Sequence, residues 1–246
     1  MLNTKKLGRN LLEFDELGST NTYLKENSSN LPDGTAVIAK RQTNGKGRLG
    51  KVWNAGSDML SMSVLLKALD NPMKVTLMSA IAVTQAIEAL YPVKAQIKWT
   101  NDIIVNEHKV CGILCESRIN GDRPDIVCGI GVNVLTRKAF FEEHNLPYGS
   151  SLYILSGKEI PPKEMGEEIL NKLEPLLSMS FEEVKEEYKQ RCVTLGRAVR
   201  AVINNNDVIA KAIDIDDTGR LVCENKSGRF TINAGEVSVR GLYGYI

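Results

Sequence analysis

The sequence predicts an α+β protein: a mixed β-sheet flanked by helices over residues 1–191, then a small β-barrel over 192–246. Three observations carry this. Up to residue 191, short β-branched runs are interleaved with helical stretches. After Cys192 the texture changes to short strands separated by NNN, DTG, KSG and NAG turns. The length of 246 residues, 43% apolar and 25% charged, suffices for one large core and one small one.

Each element has a local reason. In NLLEFDELGSTN a short apolar stretch precedes Ser19 or Thr20, either of which can cap a helix through TYLKEN. TAVIAKR (35–41) is a β-branched strand, NAGSD (54–58) a turn, and MLSMSVLLK alternates like a second strand. Residues 72–90 are apolar around most of a helical circumference and read as a buried helix. VKAQIKW (93–99), DIIVN (102–106) and KVCGILCES (109–117) form three close strands, the last pair joined by a Glu107–His108 turn. INGDRPD reads as a turn before the buried strand IVCGIGVNV (126–134), and helices return at 163–177 and 181–191. The tail offers VRAVI, DVIAKAIDID, RLVCEN, RFTI and VSVR as five barrel strands.

Composition excludes several classes. A formal net charge of +1 gives no whole-chain field for DNA or an anionic membrane. No apolar run near the N-terminus makes a signal peptide, and none is read as a membrane span. Five cysteines without a C-x-x-C pair fit reduced thiols in the cytoplasm. His108, Cys111 and Cys115 are close in sequence, but VCGILCES reads as a strand whose thiols pack as small hydrophobes, so no metal site is expected.

QTNGKGRLGKVW (42–53) imitates three nucleotide motifs. Gly45, Gly47 and Gly50 spell G-x-G-x-x-G, Val52 extends this to the kinase form, and Lys51 makes it one residue short of a P-loop. The dinucleotide and P-loop forms need a helix directly after the loop, and here a strand follows. The kinase form needs H-R-D and D-F-G, which the chain lacks. What remains is a mobile backbone with Lys46, Arg48 and Lys51 upon it. Three further features read either as ordinary structure or as site: Lys98, Asn101 and Asp102 beside Trp99, Lys109 opening an apolar strand, and Asn133 ending a buried one.

In this order the segments GSTN (18–21), QTNGKGRLGKVW, KWTND, KVCGIL and GIGVN, with a β-rich tail ending GEVSVR, resemble the biotin protein ligases from about Leu11 to Arg240. The resemblance implies a catalytic domain over 1–191 of the fold shared with class II aminoacyl-tRNA synthetases, and a barrel over 192–246. It implies an enzyme that makes biotinyl-5'-AMP from biotin and ATP, with Mg2+ accompanying ATP, and passes biotin to a lysine of a biotin carboxyl carrier domain. By similarity the biotin contacts are Ser19, Thr20, Asn21, Gln42, Gly45, Lys46, Gly47, Arg48, Lys109 and Gly112. The ATP and adenylate contacts are Arg48, Trp53, Asn101, Asn133 and Arg240. Arg48 and Lys109 would stabilise the reacting oxygens, and Asp102 would orient the attacking amine.

Two positions depart from the family pattern. Lys46 stands for the first arginine of G-R-G-R, keeping charge but losing bidentate geometry, and weaker retention of biotinyl-AMP is expected. Thr100 stands for the proline of K-W-P-N-D. A lipoate ligase is the nearest rival, though lipoate lacks the ureido ring that polar contacts would serve. A biotin-sensing repressor is a second rival, and Ser19 lies too near Met1 for a preceding DNA-binding domain, so a short form without DNA binding is expected. A ligand-binding relative without transfer activity is a third. The family includes monomers and homodimers, and the sequence leaves both open.

Overall fold

The larger sheet has seven strands, and its two faces have different tasks. They are β1 (Leu11–Leu17), β2 (Ala36–Gln42), β3 (Met59–Leu66), β4 (Ala95–Lys98), β5 (Asp102–Val105), β6 (His108–Asn120) and β7 (Arg123–Asn133). Their order is β1-β2-β3-β7-β6-β5-β4, with β1 parallel to β2 and the other pairs antiparallel. The computed structural model describes all residues except 57, 70, 121–122, 204–205, 234–238 and 242–246, with backbone alone at 119–120, 123, 202–203 and 239–241.

Period-two alternation separates the faces. Met62 and Val64 of β3, Ile113 of β6, and Ile130 and Val132 of β7 enter the main core. Over that face lie α2 (Pro72–Leu90), α5 (Pro162–Leu176) and α6 (Phe181–Arg191). Pro72 opens α2 and Asn71 caps it, accepting from Lys74 N–H at 3.0 Å. The opposite face carries α1 (Thr20–Asn27), whose Leu24 packs with Val37, Leu65 and Val127 in a smaller apolar cluster. Ser19 is the cap of α1, in extended conformation with its side chain accepting from Thr22 N–H.

The second sheet is antiparallel: β8 (Ala198–Ile203), β9 (Asn206–Ile215), β10 (Leu221–Asn225), β11 (Gly228–Ile232) and β12 (Val239–Gly241), ordered β11-β10-β9-β8-β12. Its residues Val199, Ala201, Ala212 and Leu221 join the main apolar cluster. The barrel expected for this tail is an open sheet among the described residues. Closure requires the edge strands to pair, whereas β12 has three residues paired to β8, and no β11–β12 pairing occurs among the described residues.

Other expectations also shift. The NLLEFDEL stretch is the parallel edge strand β1. INGDRPD is mostly strand, since β6 and β7 pair as far as Asn120 and Arg123. The turn between β5 and β6 is Asn106–Glu107, both at positive φ, and His108 already belongs to β6. Helices α3 (Lys138–Glu143) and α4 (Leu152–Ser156) were not foreseen, being too short for a periodic signal. Among the described residues one helix, α2, is long and apolar enough to cross a membrane, with 19 residues and mean hydropathy 1.3, contrary to the sequence reading; most of it is buried in the main core.

Candidate functional site

On the α1 face the alternation that fills the core leaves small and polar side chains: Ser61 of β3, Gly129, Gly131 and Asn133 of β7, and Gly112 of β6. They floor a cavity of about 860 Å³. Lys109 is out of phase with Gly112 in a regular strand. The register of β5 against β6 shifts between Ile103 and Ile104, so Ile103 pairs Cys111 and Ile104 pairs Lys109, with Val110 as the extra residue. Val110 and Cys111 both enter the core, and Lys109 returns to the site face. Its Nζ is 3.5 Å from where a Cβ on Gly112 would stand.

At one end the Ser-Thr-Asn segment is tied to the sheet. Thr20 donates through N–H and Oγ1 to Gln42 Oε1, at 2.8 and 3.1 Å. Asn21 Nδ2 donates to Leu114 O (3.2 Å) and Glu116 Oε2 (2.8 Å), while its Oδ1 accepts from Ser63 Oγ at 2.6 Å. Both Asn21 amide hydrogens are therefore used within the protein. Gly129 makes room for that amide, because a Cβ there would fall 2.3 Å from Asn21 Oδ1. Lys25 of α1 holds the other Glu116 oxygen at 2.7 Å. Burial works to raise the Glu116 carboxyl, but the hydrogen bonds from Lys25 and Asn21 outweigh it and hold the group below its ordinary value.

The cationic centre lies beside the turn between β4 and β5. Lys109 Nζ is 2.5 Å from Asp102 Oδ1. Arg48 Nη1 donates to Asn101 Oδ1 at 2.6 Å, and Asn101 is clamped to β6 by Nδ2 to Ile113 O (2.8 Å) and by its own carbonyl accepting from Ile113 N–H (3.0 Å). Burial lowers the Arg48 guanidinium from its ordinary value, opposed by Asp102 and Tyr188. The fork is thus desolvated and still cationic, the state in which it pairs strongly with an anion. The Trp99–Thr100 peptide is cis.

The glycine loop folds as a hairpin, with bridges Gln42–Ala55 and Lys46–Val52 and no helix of more than one turn after it. Gly45 is required by close approach: a Cβ would fall 2.3 Å from Trp53 O. Gly45 lies beside the cavity instead of on its wall, lining a second hollow of about 630 Å³ across the loop. Lys46 and Gly47 border both hollows. The Gly47 N–H donates to Lys51 O at 2.8 Å, so offering it to an anion requires the hairpin to open. The Trp53 indole stands on Gly112 and Gly131, where Cβ atoms would come within 3.1 and 2.5 Å of its ring. Its Nε1 is buried without a partner among the described residues.

Asn133 marks the other end, buried, with Nδ2 donating to Ser150 O at 2.9 Å. The wall there is the 140–149 segment with Phe140, Phe141 and Tyr148, tied to β6 by Lys109 N–H to Tyr148 O at 2.7 Å. Arg240 lies in β12, and its side chain falls outside the described residues. The other expected site residues surround one cavity, apart from Gly45.

Residues 13–133 match the biotin/lipoate A/B protein ligase family, and 194–240 match the biotin protein ligase C-terminal domain. The bifunctional ligase/repressor BirA of Bacillus spizizenii is 31% identical over 248 residues, covering 97% of this chain and 76% of that protein. The biotin protein ligase from Aquifex aeolicus in complex with biotin and ATP superposes with a TM-score of 0.83 at 30% identity, covering 95% of this chain and 99% of that one. The chain belongs to the biotin protein ligase family. The biotin–[acetyl-CoA-carboxylase] ligase of Mycobacterium tuberculosis is similar too, 30% identical over 90% of this chain and 86% of its own length.

Within this ligase, sequence reasoning missed Glu116, Ser63, Lys25, Tyr188 and the 140–149 wall. Glu116 carried a faint signal, a lone carboxylate ending an apolar strand run. Tyr188 carried none: it sits in a charged helix, yet is fully buried and donates to Thr100 O at 2.9 Å.

Proposed function

We propose that this protein condenses biotin with ATP to biotinyl-5'-AMP and transfers the biotinyl group to a lysine of a biotin carboxyl carrier domain. The observation that carries the reading is the placement of Arg48 and Lys109 midway in one cavity, between the Ser-Thr-Asn end and Asn133.

The chemistry needs that centre. In the first step a biotin carboxylate oxygen attacks the α-phosphorus and pyrophosphate leaves, so two anions must approach and negative charge builds on the phosphoryl oxygens. Arg48 and Lys109 offset that charge. In the second step a neutral lysine amine attacks the acyl carbon, AMP leaves, and the amine proton must be lost. Asp102, which lines the cavity beside Lys109, is the carboxylate that would orient the amine. Ser19, Thr20 and Gln42 meet the ureido ring, Asn133 the adenine, and Trp53 covers the bent intermediate. Among the described residues no cluster of His, Cys, Asp or Glu gathers to hold a metal, and Asp102 is paired with Lys109. Mg2+ would arrive with ATP and offset charge on its phosphates.

ATP–pyrophosphate exchange with biotin, with lipoate and with neither acid tests the reading. Exchange with biotin alone is expected. Exchange with lipoate alone overturns it.

A further inference from the structure

The turn Trp99-Thr100-Asn101-Asp102 presents two groups of the site, and its other contacts reach outside the larger sheet. Thr100 O accepts from Tyr188 of α6. Trp99 N–H donates to Thr194 Oγ1 at 2.9 Å, and its indole Nε1–H donates to Gly219 O at 3.1 Å. Both donors of Trp99 thus end in chain beyond Cys192, although Trp99 precedes Asn101 by two residues.

Gly219 sits in the turn joining β9 to β10. Asp216 closes that turn, its Oδ1 accepting from Thr218 and Arg220 N–H, each at 2.9 Å. The turn is seated on α2: Gly219 has φ +82°, and a Cβ there would lie 2.3 Å from Met73 Cγ. From α6, Lys185 Nζ grips Asp217 at 2.7 Å. This turn, held by α2 and α6, presents the Gly219 carbonyl to the Trp99 indole.

We propose that the Asp216–Arg220 turn of the second sheet is a positioning element of the active site, fixing through Trp99 the turn that gives Asn101 to Arg48 and Asp102 to Lys109. Trp99 is a positioning residue, since it acts through its neighbours. Displacing reacting groups by a fraction of an ångström slows chemistry far more than it weakens ground-state binding. The inference rests on the ligase reading.

The test uses the full chain, with biotin-dependent pyrophosphate exchange and thermal unfolding as readouts. Trp99→Phe keeps an aromatic ring and removes the donor; kcat is expected to fall about five- to ten-fold with KM for biotin within about two-fold. Lys185→Met loosens the same turn without touching Trp99, and should lower kcat with the same signature. The double variant should be no slower than Trp99→Phe alone. Lys189→Met breaks the 2.8 Å tether to Asp214, which joins the same elements away from the turn, and should leave kcat unchanged. Unchanged kcat in both Trp99→Phe and Lys185→Met overturns the proposal, as does a loss confined to KM or an equal loss in Lys189→Met. A wild-type chain with no biotin-dependent exchange is a different result, because it removes the ligase reading itself.

Discussion

Lys109 Nζ and Asp102 Oδ1 are 2.5 Å apart, and the bulge at Val110 is what turns the lysine toward the carboxylate. The pair puts the proposed electrophilic stabiliser and the proposed amine-orienting group in direct contact. Asp102→Asn keeps the shape and removes the charge, so biotin transfer from preformed biotinyl-AMP is expected to fall by about ten-fold or more, less than the roughly 10²–10⁴-fold of a full general base because the carboxylate chiefly orients the amine. Pyrophosphate exchange should fall less. Unaltered transfer with normal exchange would remove Asp102 from the mechanism.

Arg48 reaches Asn101 Oδ1 with one arm of its fork. Arg48→Lys retains a cation without the second arm, and a charge-assisted hydrogen bond of about 1.5–3 kcal/mol is at stake, roughly 10- to 150-fold in exchange rate. Steady-state exchange at saturating biotin reads the loss directly. A variant within about two-fold of wild type would show that charge alone suffices there.

Trp53 stands on Gly112 and Gly131 with its Nε1 unpartnered among the described residues, while the biotin ring is expected against Gly112. The indole must therefore change surroundings when biotin binds. The chain has two tryptophans, and Trp99 is held in its own buried hydrogen bonds. Biotin titration should shift tryptophan emission in wild type and leave it flat in Trp53→Phe. A full signal surviving in Trp53→Phe would show that the indole does not move off the glycines.

Glu116 links the cavity floor to acid stability. Its folded carboxyl is held below the ordinary value of 4.5, so the folded state binds fewer protons than the unfolded one near that pH. The stabilisation is fully present above 4.5 and is lost as pH falls through the lower folded value. Wild type is therefore expected to be more stable than Glu116→Gln at neutral pH, with the two melting temperatures converging below pH 4.5. A pH-independent gap would show that the Lys25–Glu116–Asn21 arrangement is not maintained by charge.

Much of this was legible because the chemistry is carried by short segments. GSTN, the glycine hairpin, KWTND, KVCGIL and GIGVN each place their groups within a few residues, and period-two alternation alone puts Gly129, Gly131 and Asn133 on one face. The strand following the glycine loop, visible as MLSMSVLLK, already ruled out a phosphate-binding helix. What escaped depends on contacts between distant segments. Asn21 finds Glu116 95 residues away, and Tyr188 finds Thr100 88 residues away. No local period marks either meeting.

By itself, then, the sequence determined most of the strands and the longer helices, the order of the site motifs and the family they resemble, since these follow from local patterning and residue chemistry. Tertiary structure decided where those groups point. The extra residue at Val110 reverses the parity of β6 and aims Lys109 into the cavity, the glycine floor admits the Trp53 indole, and Trp99 is bonded to Gly219 across 120 residues. A one-residue slip in a strand moves a side chain to the other face, and only the pairing of β5 with β6 records that slip.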